Sequence, residues 1–444
     1  MGAPARLDRS GPRPETNPKT NPPASRGAAP RAAKSLAKTA VPPAHQDGLL
    51  TGVAAKATAA AQRAAGLRAD LKAAKEVAHQ AQVREALSRT ELTLALTEAL
   101  RARADLQAQV RRQAMQRYLE TAKPRPMRRR GRLTRNIEKV LLRLKGPGQA
   151  EIIRRAGVWR DDDQVTIEAY VRRAGDPLAV AATLFDQGWY VATHPAAAAS
   201  GVSPLAYYLV HGVMAEEQPH PLFHFAYYEG QNLTALRASG LSMLEHFLHV
   251  GAPRGCNPHP LFDIAHYVAQ AADLAPDMDP LTHYLLIGWR DGLSPHPLFD
   301  AAWYRAQMPR LAAEVPPLVH YLTVGSAEGL TPHPLFDPAW YLEQNADVRE
   351  GGFEPLTHFL IAGAAEGRNP SPWFDTPHYI AARGGALSAG TNPLVDYLQG
   401  GAWAVGEARP GFPSAAYLAA SPELVGKGLT PLEHWARRAA RPQA

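Results

Sequence analysis

The stretch HPLFDPAWYL, His333 to Leu342, decides how the rest of this 444-residue chain is read. It sets an Asp-Pro pair between bulky apolar residues and a Trp-Tyr pair, a combination that could belong to a reactive site. The same string returns as HPLFDAAWYR from His296 and as HPLFDIAHYV from His259. A reactive site is rarely copied within one chain, so the copies point to architecture. Aligning on the fifth residue gives Asp186, His224, Asp263, Asp300, Asp337 and Asp375, at intervals of 37 to 39 residues. Four residues further on stands Tyr190, Tyr228, Tyr267, Tyr304, Tyr341 or Tyr379, and a degenerate seventh copy continues at Tyr417. A fixed period of about 20–50 residues marks a repeat architecture.

Each copy carries a second block: SPLAYYLVHG, SMLEHFLHVG, DPLTHYLLIG, PPLVHYLTVG, EPLTHFLIAG, NPLVDYLQG and finally TPLEHWARR. These are helix punctuation. Ser203, Asp279, Asn392 and Thr430 are N-capping types, each followed by proline at the first helical position. Leu281, Tyr284 and Leu285 then give an i, i+3, i+4 apolar face. Gly212, Gly251, Gly288, Gly325 and Gly363 stand where a helix ends on a left-handed residue, and Gly292, Gly329 and Gly367 follow four residues on. In the opening block Asp337 reads as the N-cap, Pro338 as the first helical residue, Trp340 and Tyr341 as a buried face, and Leu335-Phe336 as an extended entry. Asp186, Asp263, Asp300 and Asp375 take the same capping role, which leaves His224 to mark the most weakly capped helix. Such short helices bury too little surface alone, so neighbouring units must stack. The expected fold is all-α: helix-turn-helix repeats of 37–39 residues stacked as a solenoid over residues 161–444.

The net charge of +7 conceals a division. Residues 1–160 hold 33 Lys and Arg against 12 Asp and Glu, a net +21, while residues 161–444 carry −14. Such asymmetry suggests that one part meets an anionic surface. Residues 1–50 are rich in Pro, Ala, Gly and basic types and are expected to be disordered, since they offer little apolar surface to offset chain entropy. Residues 51–121 read as one long helix of strong helix formers, with an i,i+4 pair from Glu85 to Arg89. Leu92, Leu96, Leu100, Leu106 and Val110 fall roughly on one face, although Arg103 interrupts a coiled-coil seam. Residues 122–160 form a basic linker, with ten Lys or Arg between Lys123 and Gly146. Within it, Ile137, Val140, Leu141 and Leu144 oppose Arg135, Lys139, Arg143 and Lys145. Polybasic residues beside an apolar stripe fit docking on an anionic membrane, with Arg128, Arg129, Arg130, Lys139, Arg143 and Lys145 as the contacts.

The blocks HPLFDPAWYL and PLTHFLIAGAAEGRNPSPWFD resemble a bacterial repeat often attached to glycosyltransferases of surface-polysaccharide assembly, and sometimes to repeat-in-toxin type surface proteins. RLTRNIEKVLLRLKGPGQAEIIRRAGVW also looks like the segment that leads into such repeats. The resemblance covers about 60% of the chain and implies a place in glycan assembly. It does not imply the transferase reaction, because no nucleotide-sugar-binding domain follows the last repeat.

Candidate chemistry is sparse. Asp277-Met278-Asp279 is a DxD triplet of the metal–nucleotide-sugar kind, but Asp279 also has a capping role, and no other repeat matches it. Asp161, Asp162 and Asp163 read as a charged turn. Two histidine ladders recur: His220, His259, His296 and His333, then His246, His283, His320, His358 and His434. Stacked, they could approach one another as metal ligands, but bonds to a neighbouring unit's backbone are expected instead. Trp303, Trp340 and Tyr341 could stack on sugar rings if exposed. GxSxG, P-loop, HExxH and GxGxxG signatures are absent. Cys256, the single cysteine, can form neither an internal disulfide nor a metal centre alone. No signal peptide or membrane-spanning stretch is seen, so the bacterial cytoplasm or the inner face of its membrane is expected.

The reading is a non-catalytic scaffold or protein-interaction module without a cofactor. Its partners would be proteins through the repeats, an anionic membrane through residues 123–160, and a second copy through the long helix. The rival is a glycosyltransferase-related or glycan-binding protein that uses a groove in the repeats. Nucleic acid is disfavoured, since no zinc finger or interleaved aromatics appear.

Overall fold

Proline and aspartate dictate the local structure. In the opening blocks Pro-His-Pro fixes two backbone positions and biases the intervening residue to extended conformation, so each unit begins with an extended entry. The cap follows at once: Asp186, Asp263, Asp300, Asp337 and Asp375 each accept the backbone N–H three residues on, at 2.9–3.0 Å. His224 caps as well, through Nδ1 and the Tyr227 N–H at 3.2 Å, so a neutral imidazole replaces the expected weak point with a longer bond. The computed structural model describes residues 43–444 apart from 124–129, 145, 160–164, 174–175, 177–178, 308–314, 386, 388–389, 405–406 and 440–444. Among these residues the secondary structure is helical, with isolated β-bridges such as His296 with Phe299 and no extended strand. The reading of residues 1–50 as disordered lies outside the described residues over 1–42, and over 43–50 it is corrected: those residues are the first turns of the long helix, which starts at Pro43 and not at 51. The chain forms two compact units, divided between Gln82 and Val83.

The second block of each unit departs from expectation. Its helix opens normally at Pro280–His283, Pro317–His320 or Pro355–His358, then widens into a π-turn at Tyr284–Gly288, Tyr321–Gly325 or Phe359–Gly363. The backbone bonds there span five residues, as from Ser326 N–H to the Tyr321 carbonyl at 2.9 Å. The glycine that ends each π-turn is not left-handed: Gly212 and Gly251 have φ of −60° and −69°, and Gly288, Gly325 and Gly363 are not in the positive region either. The left-handed role belongs to the glycine four residues on, at φ +77°, +75° and +75° for Gly292, Gly329 and Gly367. The first glycine has a steric role. A methyl group on Gly251, Gly288, Gly325, Gly363 or Gly401 would overlap the hydroxyl of Tyr228, Tyr267, Tyr304, Tyr341 or Tyr379.

That hydroxyl is held in place by the second block's histidine. Tyr228, Tyr267, Tyr304, Tyr341 and Tyr417 meet Nδ1 of His246, His283, His320, His358 and His434 at 2.6–3.0 Å. Tyr379 donates to Asp396 and Tyr190 to Glu217, each at 2.5 Å. Thus first helix, second helix and π-turn of one unit meet at one tyrosine.

Successive units are joined by two further bonds. The cap residue's N–H donates to the carbonyl before the next entry: Asp186 to Pro219, His224 to Pro258, Asp263 to Pro295, Asp300 to Pro332 and Asp337 to Pro370, at 2.9–3.1 Å. A second tyrosine accepts a backbone N–H from the following unit, Tyr208 from Leu244, Tyr284 from Leu318 and Tyr397 from Leu432, at 3.3–3.4 Å. Tyr170 does the same for Leu205 at 3.1 Å, on the short helix Ile167–Arg172. It stands 38 residues before Tyr208, so an incomplete unit precedes the first one recognised in the sequence.

Helix α1 runs over Pro43–Thr121. Within Val83–Ala444, its C-terminal part packs on the repeats through Leu96, Leu100, Ala104, Met115 and Tyr118, while Leu92, Leu106 and Val110 face outward. The expected single apolar face is therefore divided. Tyr118 donates to the Ala252 carbonyl at 2.9 Å and Arg101 to that of Trp403 at 2.7 Å, so this stretch bridges early and late units. Helices α2 (Arg132–Arg143) and α3 (Pro147–Ala156) follow. Ile152 and Ile153 of α3 are fully buried, and Gln149 accepts the Ser203 N–H at 2.9 Å, so α3 covers the array's first face. Ser203 itself makes no side-chain cap, unlike Asp279 and Asn392.

Gly288→Ala should destabilise the fold by about 1–3 kcal/mol in chemical denaturation, because the methyl overpacks against Tyr267. In a Tyr267→Phe background the same substitution should cost less, giving a coupling of about 0.5 kcal/mol or more. Equal costs in both backgrounds would separate the glycine from the hydroxyl.

Candidate functional site

The residues able to do acid–base work lie along the repeat entries. His220, His259, His296 and His333 are buried, and each accepts on Nδ1 the N–H of the leucine two residues on, at 3.0–3.2 Å. The Nδ1 partners of both ladders are therefore within their own units, not in a neighbour's backbone, while Nε2 of His333 lies 3.8 Å from the Glu433 carboxylate of the last unit. With Nδ1 accepting, the proton sits on Nε2. Burial pulls His220 and His296 down to about 4, against the pull of Asp186 and Asp263. Burial also pushes His259 well below the usual imidazole range, and its neighbour His224, with ring centroids 5.8 Å apart, adds to the shift where the other units place a carboxylate. His246 is also held at about 4 by burial. The buried tyrosine hydroxyls shift the other way and stay protonated.

A groove of about 710 Å³ opens between α1 and the entries, lined by Arg111, His266, His296, Asp300, His333 and Glu433 among others. Part of its polar wall is committed elsewhere. Asp300 caps Trp303 and pairs with Arg437, which also binds Glu433 at 2.8 Å. Burial lowers the Arg111 guanidinium, against the nearby Asp263 carboxylate. Neutral imidazoles and a paired carboxylate provide polarity without a poised nucleophile and base. Among the described residues no group of three or more His, Cys, Asp or Glu is placed to hold a metal ion.

The other candidates separate cleanly. Asp279 is buried and accepts from the Thr282 N–H and hydroxyl at 2.9 and 2.7 Å, while Asp277 is exposed. The adjoining cavity, about 20 Å³, has room for roughly one water. Tyr341 is fully buried, which removes it as a sugar-stacking surface. Trp303 is half-buried beneath Arg437 and donates to Thr331 at 2.9 Å; Trp340 is also half-buried. Asp161, Asp162, Asp163, Arg128, Arg129 and Lys145 lie outside the described residues.

The basic segment shows the largest correction. Arg130, expected to meet lipid, is buried: it pairs with Glu245 at 2.7 Å and Glu138 at 3.3 Å, and donates to the Leu209 carbonyl at 2.8 Å. Burial raises the Glu138 carboxyl, and Arg130 opposes that shift. With Glu138 and Leu142 turned inward, α2 presents Leu133, Ile137, Val140 and Leu144 to solvent, at 75%, 44%, 60% and 52% exposure. Leu141, expected on the same stripe, is only partly exposed and packs against the core. Lys139 and Arg143 are exposed beside the stripe. Among the described residues no helix is long and apolar enough to cross a membrane.

Comparison with known protein families, curated proteins and solved structures finds no match.

Arg130→Ala strands two buried carboxylates and should cost about 3–5 kcal/mol in denaturant unfolding; a loss under about 1 kcal/mol would mean that the cluster is solvated. His220, His246 and His296 give a pH signature. They are neutral in the fold and become protonated in the unfolded chain below about 6.5, so the unfolded state binds more protons there. Stability should be insensitive to these groups above pH 7 and fall between about pH 6.5 and 4, by up to about 1.4 kcal/mol per pH unit for each such histidine. Urea midpoints at stepped pH measure it, and a flat profile across that window would contradict the buried, neutral assignment.

Proposed function

We propose that the chain is a non-catalytic scaffold, a solenoid of helical repeats that offers an acidic surface to protein partners in surface-glycan assembly or export. One observation carries the reading: the tyrosines, histidines and cap aspartates that might do chemistry are bonded to one another, to other side chains or to backbone within the repeats. What remains outward is charge. Asp291, Glu328 and Glu366 occupy the same position, just before the left-handed glycine of successive units, and all are exposed. They form a regular acidic series on a body whose net charge is −14. Such a ridge suits a basic partner, with rim charges setting association rate and salt dependence. The glycan setting rests on the repeat resemblance alone.

The test uses the full-length chain. Crosslinking in a bacterium that makes surface polysaccharide is expected to give a discrete partner, weakened by salt and by Asp291→Lys with Glu328→Lys. Nucleotide-sugar donors are expected to stay intact. Donor hydrolysis that disappears on Asp277→Ala with Asp279→Ala would overturn the scaffold reading in favour of a transferase.

A further inference from the structure

The outward face of α2 is unlike the rest of the surface. At 100° per residue, Leu133, Ile137 and Val140 fall within a stripe about 60° wide, opposite the side that buries Glu138 and Leu142, and the extended C-cap residue Leu144 is exposed just beyond its end. Arg132, Lys139 and Arg143 lie together along one flank, and all three are exposed. Glu138 is the sole acid in α2, and it is turned inward against Arg130. Every outward charge on the helix is therefore positive. The nearby carboxylate of Glu217 accepts from Tyr190, so it is not directed at these cations.

We infer that this face of α2 lies on an anionic lipid surface, with the four apolar side chains entering the headgroup–acyl boundary and the cations on the headgroups. The inference is independent of the scaffold reading. An apolar stripe flanked by cations is complementary to that boundary. A second copy is the poorer occupant: two α2 helices meeting stripe to stripe would bring like-charged flanks together without an opposing acid. The long basic region preceding α2 gives the chain general affinity for anions, whereas the stripe makes attachment depend on both charge and apolar area.

The experiment is vesicle co-sedimentation of the full-length chain, with phosphatidylcholine alone and with phosphatidylserine added. Binding is expected with phosphatidylserine and not without it. Lys139→Gln with Arg143→Gln should weaken binding about 25-fold, roughly five-fold per charge. Ile137→Asn with Val140→Asn, both at exposed positions, should weaken it at least about ten-fold with unchanged thermal unfolding. Lys75→Gln with Arg84→Gln, which removes two charges elsewhere, should leave it within about two-fold. Equal binding by the apolar variant would overturn the inference and assign attachment to basic residues elsewhere. Equal binding to neutral vesicles would overturn it too, as would a dimer abolished by Val140→Asn in a chain that ignores vesicles.

Discussion

One close approach organises five of the repeats: a tyrosine hydroxyl seated against the Cα of a glycine 21 to 23 residues later in the chain, as Tyr267 against Gly288. No side chain fits between them. The hydroxyl must then find a partner in a dry interior, and the histidine or aspartate five residues before that glycine supplies it. The wide π-turn places this partner and the glycine on either side of the same oxygen. Cap, entry and inter-unit bonds arrange themselves around that point, because the tyrosine belongs to the helix that the cap initiates.

Much of this was legible. The period, the caps at Asp186, Asp263, Asp300, Asp337 and Asp375, and the burial of Leu335 and Phe336 follow from spacing and from side-chain chemistry. What was not legible has physical reasons. A glycine needed for positive φ and a glycine needed for space look identical in sequence, so the left-handed role expected at Gly288 belongs to Gly292. A π-turn has no compositional mark, since leucine and tyrosine suit either helix. Tyr170 could have been found by its 38-residue distance from Tyr208, but its block has lost the proline and histidine that identify the others.

The N-terminal elements show how a charge run misleads. Arg128 to Arg130 read as one membrane-docking cluster, yet Arg130 forms an interior pair with Glu138 and Glu245. Glu245 is at once the partner of an arginine from outside the repeats and the reciprocal half of the Ser242 capping box. That buried pairing fixes which side of α2 turns inward, and its apolar stripe is left facing out. Periodicity gave the stripe; only the long-range ion pair set its direction.

The C-terminal stretch of α1 has a thermodynamic consequence. In an array held only by neighbour contacts, stability is close to a sum of local terms, and the ends can melt while the middle survives. Here a single helix is fastened to Ala252 near one end and to Trp403 near the other, and Arg437 of the last helix reaches back to Asp300. A frayed terminal unit would have to release these distant contacts as well as its neighbour. The array should therefore behave as one cooperative folding unit.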